Sequence, residues 1–257
     1  NLCYVTTAVL EGVTRVLREV RPDWLVVQGD TTTAFAAALA GFYERVPVAH
    51  VEAGLRTYDP MSPWPEEINR RLVARIALLH FEPTERAAQN QFREAIAPAQ
   101  VVVTGNTVID ALRWTAARPE GDRALDMQIA RCAPNLLGST RRLLLVTLHR
   151  RENLGEKLRS ICAGLRLLAE RGDIDIVFPV HMNPAVQAVV QEALGGMTSV
   201  HLLPPLDYLP CVALLRRCHL VVTDSGGIQE EAPGLGKPVV VARDTTDYKS
   251  LIAKAKD

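Results

Sequence analysis

Short apolar runs rich in β-branched residues recur along the chain, and each gives way to polar or glycine residues and then to a helix-forming segment. The clearest case is residues 220–231, where an apolar run stops at Asp224 and Ser225 and two glycines precede a new helical pattern. Strand–helix alternation with nearly continuous apolar strands is typical of parallel sheets covered on both faces by helices. The sequence therefore predicts an α/β fold with parallel sheets.

The predicted elements fall into two series separated by a connection over residues 105–140. Strands of the first series are predicted at residues 24–27, 46–51, 78–81 and 101–103. Strands of the second series are predicted at residues 143–147, 175–180, 200–203, 220–223 and 239–242. We therefore expect two Rossmann-like domains, at residues 1–104 and 105–257. Ligands bind at the carboxyl ends of such strands, so we expect these ends to face a central cleft.

The first helical pattern begins at the start of the chain rather than after a strand. Five apolar residues recur on one predicted face of this helix: Val9, Val13, Val16, Leu17 and Val20. A parallel α/β domain normally begins with a strand. We therefore expect the N-terminal domain to be truncated in this chain.

Composition excludes several classes of partner. The formal net charge of the 257 residues is zero, which argues against a nucleic-acid partner. No apolar run reaches the roughly 18 residues of a membrane span, so no membrane association is expected. The five cysteines are scattered and form no CxxC pair, which indicates reduced thiols in the cytoplasm. No His, Cys and Asp cluster has metal-ligand spacing, so we predict neither a metal nor another cofactor.

The turn at Ser225, Gly226 and Gly227 is the strongest candidate for a phosphate site. Adjacent glycines allow close backbone approach to an anion, and the first amides of the next helix point at it. Acidic residues one and a half turns further on, including Glu231, have the position needed to bind a ribose diol. The alternative is a tight turn in which Ser225 merely caps the helix.

Four carboxylates of the first series lie at predicted strand ends or at a predicted helix start. Asp30 either serves a site or caps the threonine-rich helix that follows it. Glu52 has no helix to cap, and a buried carboxylate there would need a partner such as Arg56. Glu66 and Glu67 follow a Pro-Trp-Pro loop, where acidic residues commonly complement a helix dipole. Carboxylates crowded at one cleft can act as acid and base, because crowding raises the pKa of some of them.

A second anion-binding corner is predicted after the first strand of the second series. His149 and Arg150 lie where a helix begins, and this helix entrance favours anions. Asn153 and Glu156 have the spacing of a capping box for that helix. His181 repeats the arrangement at the next strand end.

Six ordered segments together resemble the non-hydrolysing UDP-N-acetylglucosamine 2-epimerases. They are QGDTTT at residues 28–33, HVEAGLR at 50–56, SPWPEEINRR at 62–71, TGNTVID at 104–110, HRREN at 149–153 and TDSGGIQEE at 223–231. The resemblance implies a two-domain fold of the glycosyltransferase-B type. It also implies interconversion of UDP-N-acetylglucosamine and UDP-N-acetylmannosamine, through elimination of UDP and its re-addition with inversion at C2.

The resemblance assigns roles residue by residue. The family's catalytic carboxylates fall on Asp30, Glu52 and Glu66, and its essential histidine falls on His149. The UDP site of the family falls on Ser225, Gly226 and Gly227 for the phosphates, on Glu231 for the ribose, and near Leu206 and Cys211 for the base. The family often has glutamine and phenylalanine at the last two positions, and its UDP-contacting arginine falls on Tyr248, so these three side chains depart from the pattern. A homodimer is also implied.

Three alternatives remain open at this point. A hydrolysing 2-epimerase shares the same site but releases UDP and free N-acetylmannosamine. A glycosyltransferase of the same fold has the UDP pocket, but it has no need of three carboxylates around C2 of its donor. A non-catalytic protein would bind UDP-sugars without turning them over.

Overall fold

The structure is a computed structural model that describes residues 1–118, 126–127, 129–130, 133–134, 136, 138–148, 153 and 155–242. It forms two compact units that divide between Thr107 and Val108. Each unit is built on a parallel sheet with helices between the strands, which confirms the predicted α/β class. Within these ranges, no helix is long and apolar enough to cross a membrane.

The first unit contains a four-stranded sheet in the order β1-β2-β3-β4, with all pairs parallel. Its elements are α1 (Leu2–Val20), β1 (Leu25–Gln28), α2 (Thr32–Tyr43), β2 (Val48–Val51), α3 (Glu66–Ile76), β3 (Leu79–Glu82), α4 (Glu85–Arg93) and β4 (Val101–Val103). The strands follow one another in chain order across the sheet. Their carboxyl ends therefore lie side by side along one edge.

Helix α2 packs on this sheet because its alanines allow close approach. Ala34 and Ala38 are buried together with Val27 of β1 and Val48 of β2. Helix α1 packs against α2 in turn, and Leu17 is its buried residue.

The predicted buried face of α1 is only partly correct. Val16 and Val20 are 53% and 64% exposed, whereas Leu17 is 4% exposed. The apolar stripe predicted from periodicity is wider than the surface that the neighbouring helix covers.

The second unit contains a five-stranded parallel sheet in the order β7-β6-β5-β8-β9. Its elements are α5 (Thr107–Ala116), β5 (Arg142–Thr147), α6 (Glu156–Glu170), β6 (Ile174–Pro179), α7 (Pro184–Leu194), β7 (Val200–Leu203), α8 (Tyr208–Arg217), β8 (Leu220–Thr223), α9 (Gly226–Gly234) and β9 (Val239–Val241). The strand order reverses between β5 and β8. Such a reversal is the topological switch point at which open α/β sheets bind ligands.

Strand β5 shows why the strands of this unit are apolar throughout. Leu144 and Val146 point into a core layer with α6 and α7, whereas Leu143 and Leu145 point into the opposite layer with α8. Both faces of the strand are therefore buried, so alternating polar residues would be costly.

Candidate functional site

The first candidate carboxylate, Asp30, follows β1 and is held by residues of α3. Its Oδ2 atom lies 3.2 Å from Nη1 of Arg70, and its backbone carbonyl accepts a 2.9 Å hydrogen bond from Asn69 Nδ2. The hydroxyl of Thr31, not Asp30, caps helix α2 by accepting from Ala34 N at 3.2 Å. The Asp30 carboxylate is therefore not needed as a helix cap. Its side chain is 29% exposed, so it can meet a ligand.

Arg70 links Asp30 to a second carboxylate, Glu67, which is fully buried. The Glu67 carboxylate accepts from Arg70 Nε at 2.8 Å and from the backbone amides of Thr57 and Tyr58, both at 3.1 Å. The pair therefore fastens the loop after β2 to the first turns of α3. The sequence pattern presented Glu67 as an ordinary helix-start residue. The signal that was available is the arginine three residues further on, which is ion-pair spacing on a helix.

Glu66 lies beside Glu67 but has a different environment. It is half-buried at the start of α3, and within the described ranges its carboxylate makes no hydrogen bond or ion pair. The preceding loop contains cis peptide bonds at Ser62–Pro63 and Trp64–Pro65. Glu66 is thus an accessible carboxylate, whereas Glu67 holds the loop in place.

Glu52 follows β2 with a left-handed backbone, at φ 62°. This region is uncommon for a residue other than glycine, and such residues cluster at functional sites. A Cβ atom at Gly29 would lie 3.7 Å from Glu52 Oε2, so the carboxylate extends towards the turn that carries Asp30. The predicted pairing of Glu52 with Arg56 is wrong, because the Arg56 guanidinium donates to the Glu94 carboxylate at 2.7 and 2.9 Å instead. Asp30 and Glu52 therefore belong to neighbouring turns of one sheet edge.

A fully buried polar layer lies behind these two turns. It contains His50, His80 and Glu82, all with no exposed surface. Burial lowers the pKa of each histidine to about 4 and raises the pKa of Glu82 to about 7. Sequence patterns did not single out Glu82, because a polar residue at the end of a short apolar strand is common.

The second unit carries the candidate anion site at its switch point. The hydroxyls of Thr147 and Thr223 lie 2.6 Å apart across β5 and β8, and Thr223 Oγ1 also accepts from Ser225 N at 2.9 Å. Ser225 occupies the N-cap position of α9, but its side chain makes no cap hydrogen bond. The first amides of a helix have no acceptor within the helix. The turn at Ser225, Gly226 and Gly227 therefore has the chemistry of an anion site.

Asn153 fixes this turn from the other side of the switch point. Its amide nitrogen Nδ2 donates to Asp224 Oδ2 at 2.8 Å and to the carbonyl of Ala242 at 2.9 Å. The predicted capping box is wrong, because α6 begins at Glu156 and its N-cap is Gly155, which has no side-chain cap bond. Asn153 therefore forms hydrogen bonds to residues far away in the chain instead of capping the next helix.

The candidate ribose and base residues lie close to the same turn. A Cβ atom at Gly227 would be 3.8 Å from Glu231 Oε1. Burial raises the pKa of Glu231, and burial together with that carboxylate raises the pKa of Tyr208 and of Cys211. Leu206 and Cys211 pack at the edge of the core layer beneath α8. The structure thus brings Glu231 and Cys211 together beside the glycine turn.

The remaining predicted residues fall in different places. His181 is exposed after β6, and its Nδ1 accepts from the amide of Asn183 at 3.1 Å. His149, Arg150 and Tyr248 lie outside the described residues. In the part of the chain that the structure describes, no group of three or more His, Cys, Asp or Glu side chains could hold a metal ion.

Comparison with known proteins gives consistent matches. A family model described as UDP-N-acetylglucosamine 2-epimerase matches residues 1–257. A UDP-N-acetylglucosamine 2-epimerase of Escherichia coli K12 is 49% identical over 253 residues, which are 98% of this chain and 67% of that protein. The chain thus spans about two thirds of the length of this curated relative.

Solved structures show the same similarity. The UDP-GlcNAc 2-epimerase from Neisseria meningitidis bound to UDP-GlcNAc is 44% identical with a TM-score of 0.89, covering 98% of this chain and 68% of that one. The S. aureus MnaA–UDP complex is 37% identical with a TM-score of 0.86, covering 100% of this chain and 72% of that one.

Proposed function

The chain belongs to the UDP-N-acetylglucosamine 2-epimerase family, and we propose that it interconverts UDP-N-acetylglucosamine and UDP-N-acetylmannosamine without net hydrolysis. The observation that carries this proposal is the pair of candidate carboxylates on neighbouring turns, Asp30 and Glu52. The Glu52 side chain extends towards the Asp30 turn, and Arg70 anchors Asp30 from α3. A transferase that leaves C2 of its donor untouched has no use for this cluster.

In the proposed reaction, the UDP moiety of the UDP-sugar binds at the switch point of the second unit. The amides of the Ser225–Gly227 turn hold the diphosphate, and Glu231 accepts hydrogen bonds from the ribose. Leu206 and Cys211 line the base pocket. The relatives crystallised with UDP-GlcNAc and with UDP support a UDP-sugar as the ligand class.

The proposed chemistry is an elimination followed by an addition. A carboxylate removes the C2 proton, the C–H electrons form the C1–C2 double bond, and the C1–O bond breaks to release UDP. Re-addition of UDP oxygen to C1 and return of a proton to the opposite face of C2 invert that carbon. We assign proton transfer to Asp30, Glu52 and Glu66 as a group, and stabilisation of the departing diphosphate to His149.

Proton NMR in deuterated water with UDP-N-acetylglucosamine tests this proposal. Deuterium at C2 together with UDP-N-acetylmannosamine is the expected result. Free N-acetylmannosamine would identify the hydrolysing reaction instead. UDP binding without any C2 exchange would identify a binding protein and overturn the proposed activity.

Glu52→Gln is the matching variant, because it preserves side-chain size and removes the charge. We expect C2 exchange to fall by at least about 100-fold, the lower range for loss of a general acid or base, with UDP affinity within a few-fold of wild type. Glu44→Gln is the control, because Glu44 pairs with Arg18 on the surface of the same unit. Full exchange in Glu52→Gln would remove Glu52 from the reaction.

We further propose that the enzyme works as a cytoplasmic homodimer and needs no metal. Light scattering at micromolar concentration tests the dimer. Dialysis against EDTA should leave the exchange rate unchanged, and a loss restored by a divalent cation would contradict the metal-free reaction.

A further inference from the structure

The same tripeptide pattern, His-x-Glu, occurs on two neighbouring strands of the first unit. It contains His50 and Glu52 at the end of β2, and His80 and Glu82 at the end of β3. His50 and His80 are direct partners in the parallel pairing of these strands. Residues two apart on a strand share a face, so His50, His80 and Glu82 lie on one face of the sheet.

These three side chains have no exposed surface. Each histidine ring makes one hydrogen bond of normal geometry. His50 Nε2 donates to the carbonyl of Gly29 at 2.9 Å, which assigns the proton to Nε2. His80 Nδ1 accepts from the Gln91 amide at 3.3 Å, which assigns the proton of His80 to Nε2. The acceptor nitrogen Nδ1 of His50 and the N–H donor Nε2 of His80 therefore make no hydrogen bond of normal geometry among the described residues.

Four polar atoms of this face make no hydrogen bond of normal geometry among the described residues: His50 Nδ1, His80 Nε2 and both carboxyl oxygens of Glu82. The Gln91 amide lies near Glu82 and the Ala77 carbonyl lies near the His80 ring, but neither contact completes a well-aligned hydrogen bond to these atoms. They are the only buried side-chain atoms of that kind in the described part of the chain. Buried polar atoms are paired in the large majority of cases, because an unpaired atom loses its hydration without compensation. Four such atoms on one face of the sheet therefore indicate a binding site for a small polar ligand.

The mixture of hydrogen-bond donors and acceptors on this face determines which small ligand it can bind. A cation would meet the His80 N–H, and the Arg56 guanidinium lies close enough to act electrostatically on all three groups. An anion would meet the Glu82 carboxyl group. Water donates two hydrogen bonds and accepts two, so it can accept from His80 and donate to His50 and Glu82.

The polar face also lies directly behind the two turns that carry candidate carboxylates. The His50 ring holds the carbonyl of Gly29, the residue before Asp30. A Cβ atom at Gly54 would lie 2.0 Å from Glu82 Oε2, so the Glu52–Gly54 turn rests against the Glu82 carboxyl group. Any change in the position of Glu82 is therefore transmitted to the backbone that sets the direction of Glu52.

We propose that His50, His80 and Glu82 bind an internal water molecule, and that Glu82 acts through this hydrated cluster as a positioning residue for Glu52. The water site stands on the polar atoms alone, whereas the positioning role rests on the proposed epimerase function.

A crystal structure of the wild-type protein at high resolution tests the water site without reference to activity. We expect an ordered water about 2.7–3.2 Å from at least two of the four atoms. A direct hydrogen bond between Glu82 and His50 with no water between them would overturn the water site.

C2 deuterium exchange in two Glu82 variants tests the positioning role. Glu82→Gln retains the hydrogen-bonding atoms, and we expect exchange within about three-fold of wild type. Glu82→Met removes them, and we expect exchange to fall by roughly 10–100-fold because a displaced catalytic group loses its geometry. UDP affinity should stay within about two-fold in both variants. Undiminished exchange in Glu82→Met, or an equal loss in both variants, would overturn the positioning role.

The outcomes separate the two hypotheses. Absence of C2 exchange in the wild type would reject the proposed function, and the crystal structure would still decide the water site. If the Glu82→Met protein does not fold, a crystal structure of the Glu82→Gln variant tests the positioning role instead. Retention of the water and of the Glu52 geometry is expected there, and displacement of Glu52 despite a retained water would contradict the proposal. Glu44→Gln serves as the surface control in every assay.

Discussion

The two units use the same local structure, a strand followed by a turn and a helix, for opposite purposes. In the first unit the turns after β1 and β2 carry carboxylates, and buried side chains such as Arg70 and Glu67 hold those turns in place. In the second unit the turn after β8 contains Ser225 and two glycines, and its backbone amides are the proposed binding groups. Side-chain chemistry thus defines the candidate site of the first unit, and backbone access defines that of the second.

This difference follows from the interactions that hold each candidate site in place. Arg70 is 2% exposed and joins two carboxylates, so the first site depends on charges that are buried and mutually neutralised. The second candidate site depends on the hydroxyls of Thr147 and Thr223 and on Asn153, which hold the turn through neutral hydrogen-bonding groups. Substitutions should therefore damage folding in the first unit and ligand binding in the second.

The largest expected effect comes from Arg70→Met. This variant leaves Glu67 buried without its cation, and breaking a buried ion pair from one side typically costs about 3–5 kcal/mol. Urea unfolding followed by circular dichroism should show this loss in the free energy of unfolding.

Arg18→Met is the matched control for Arg70→Met. Arg18 pairs with Glu44 at 2.8 Å, but its side chain is 69% exposed, so solvent replaces the lost interaction. We expect a much smaller change in this variant. Equal losses in the two variants would show that the buried pair does not hold the first site together.

A pair of glycine substitutions sharpens the comparison between the units. Gly54 has φ 76°, and a Cβ atom there would lie 2.0 Å from Glu82 Oε2 and 2.5 Å from the carbonyl oxygen of Ala87. Gly54→Ala should therefore cost roughly 2–4 kcal/mol through backbone strain and overpacking. In the second unit, a Cβ atom at Gly227 meets nothing closer than 3.8 Å. Gly227→Ala should change stability by less than about 1 kcal/mol.

Ligand binding should reverse the order of the two variants. Calorimetric titration with UDP should show at least about a tenfold loss for Gly227→Ala, because the added methyl group obstructs close approach of the diphosphate. Folded Gly54→Ala protein should bind UDP like the wild type. Normal UDP affinity in Gly227→Ala would place the diphosphate away from this turn.

The sequence predicted elements better than it predicted contacts. Strands β4, β7 and β8 have the predicted bounds, because apolar β-branched runs that end in polar or glycine residues are local signals. The roles of Glu67 and Asn153 were not visible, because each side chain bonds to residues far away in the chain or across strands. Glu82 was missed for the same reason, since only the pairing of β2 with β3 places it beside His50. The roles of Asp30, Glu52, Glu66 and the Ser225 turn remain predictions.

The first unit should also show a pH dependence of stability, and its sign follows from the pKa shifts of the buried groups. Burial lowers the pKa of His50 and His80 to about 4, so their contribution to stability is complete above pH 6.5 and is lost as the pH falls through 4. Burial raises the pKa of Glu82 to about 7, so its contribution is complete below pH 4.5 and is lost as the pH rises through 7. The two histidines oppose one carboxyl group in nearly the same range.

We therefore expect the wild-type free energy of unfolding to fall by on the order of 1–3 kcal/mol between pH 6.5 and 4, with the histidines dominating. Glu82→Gln removes the opposing group and should steepen this fall, whereas His80→Gln should flatten it. Urea unfolding at half-unit pH steps measures both slopes, with Glu44→Gln as the surface control. A flatter curve in Glu82→Gln would mean that Glu82 is ionised in the folded protein at acid pH. The Glu52 turn would then rest on a charged group, and the buried layer of the first unit would be an ion-pair network like that of Arg70.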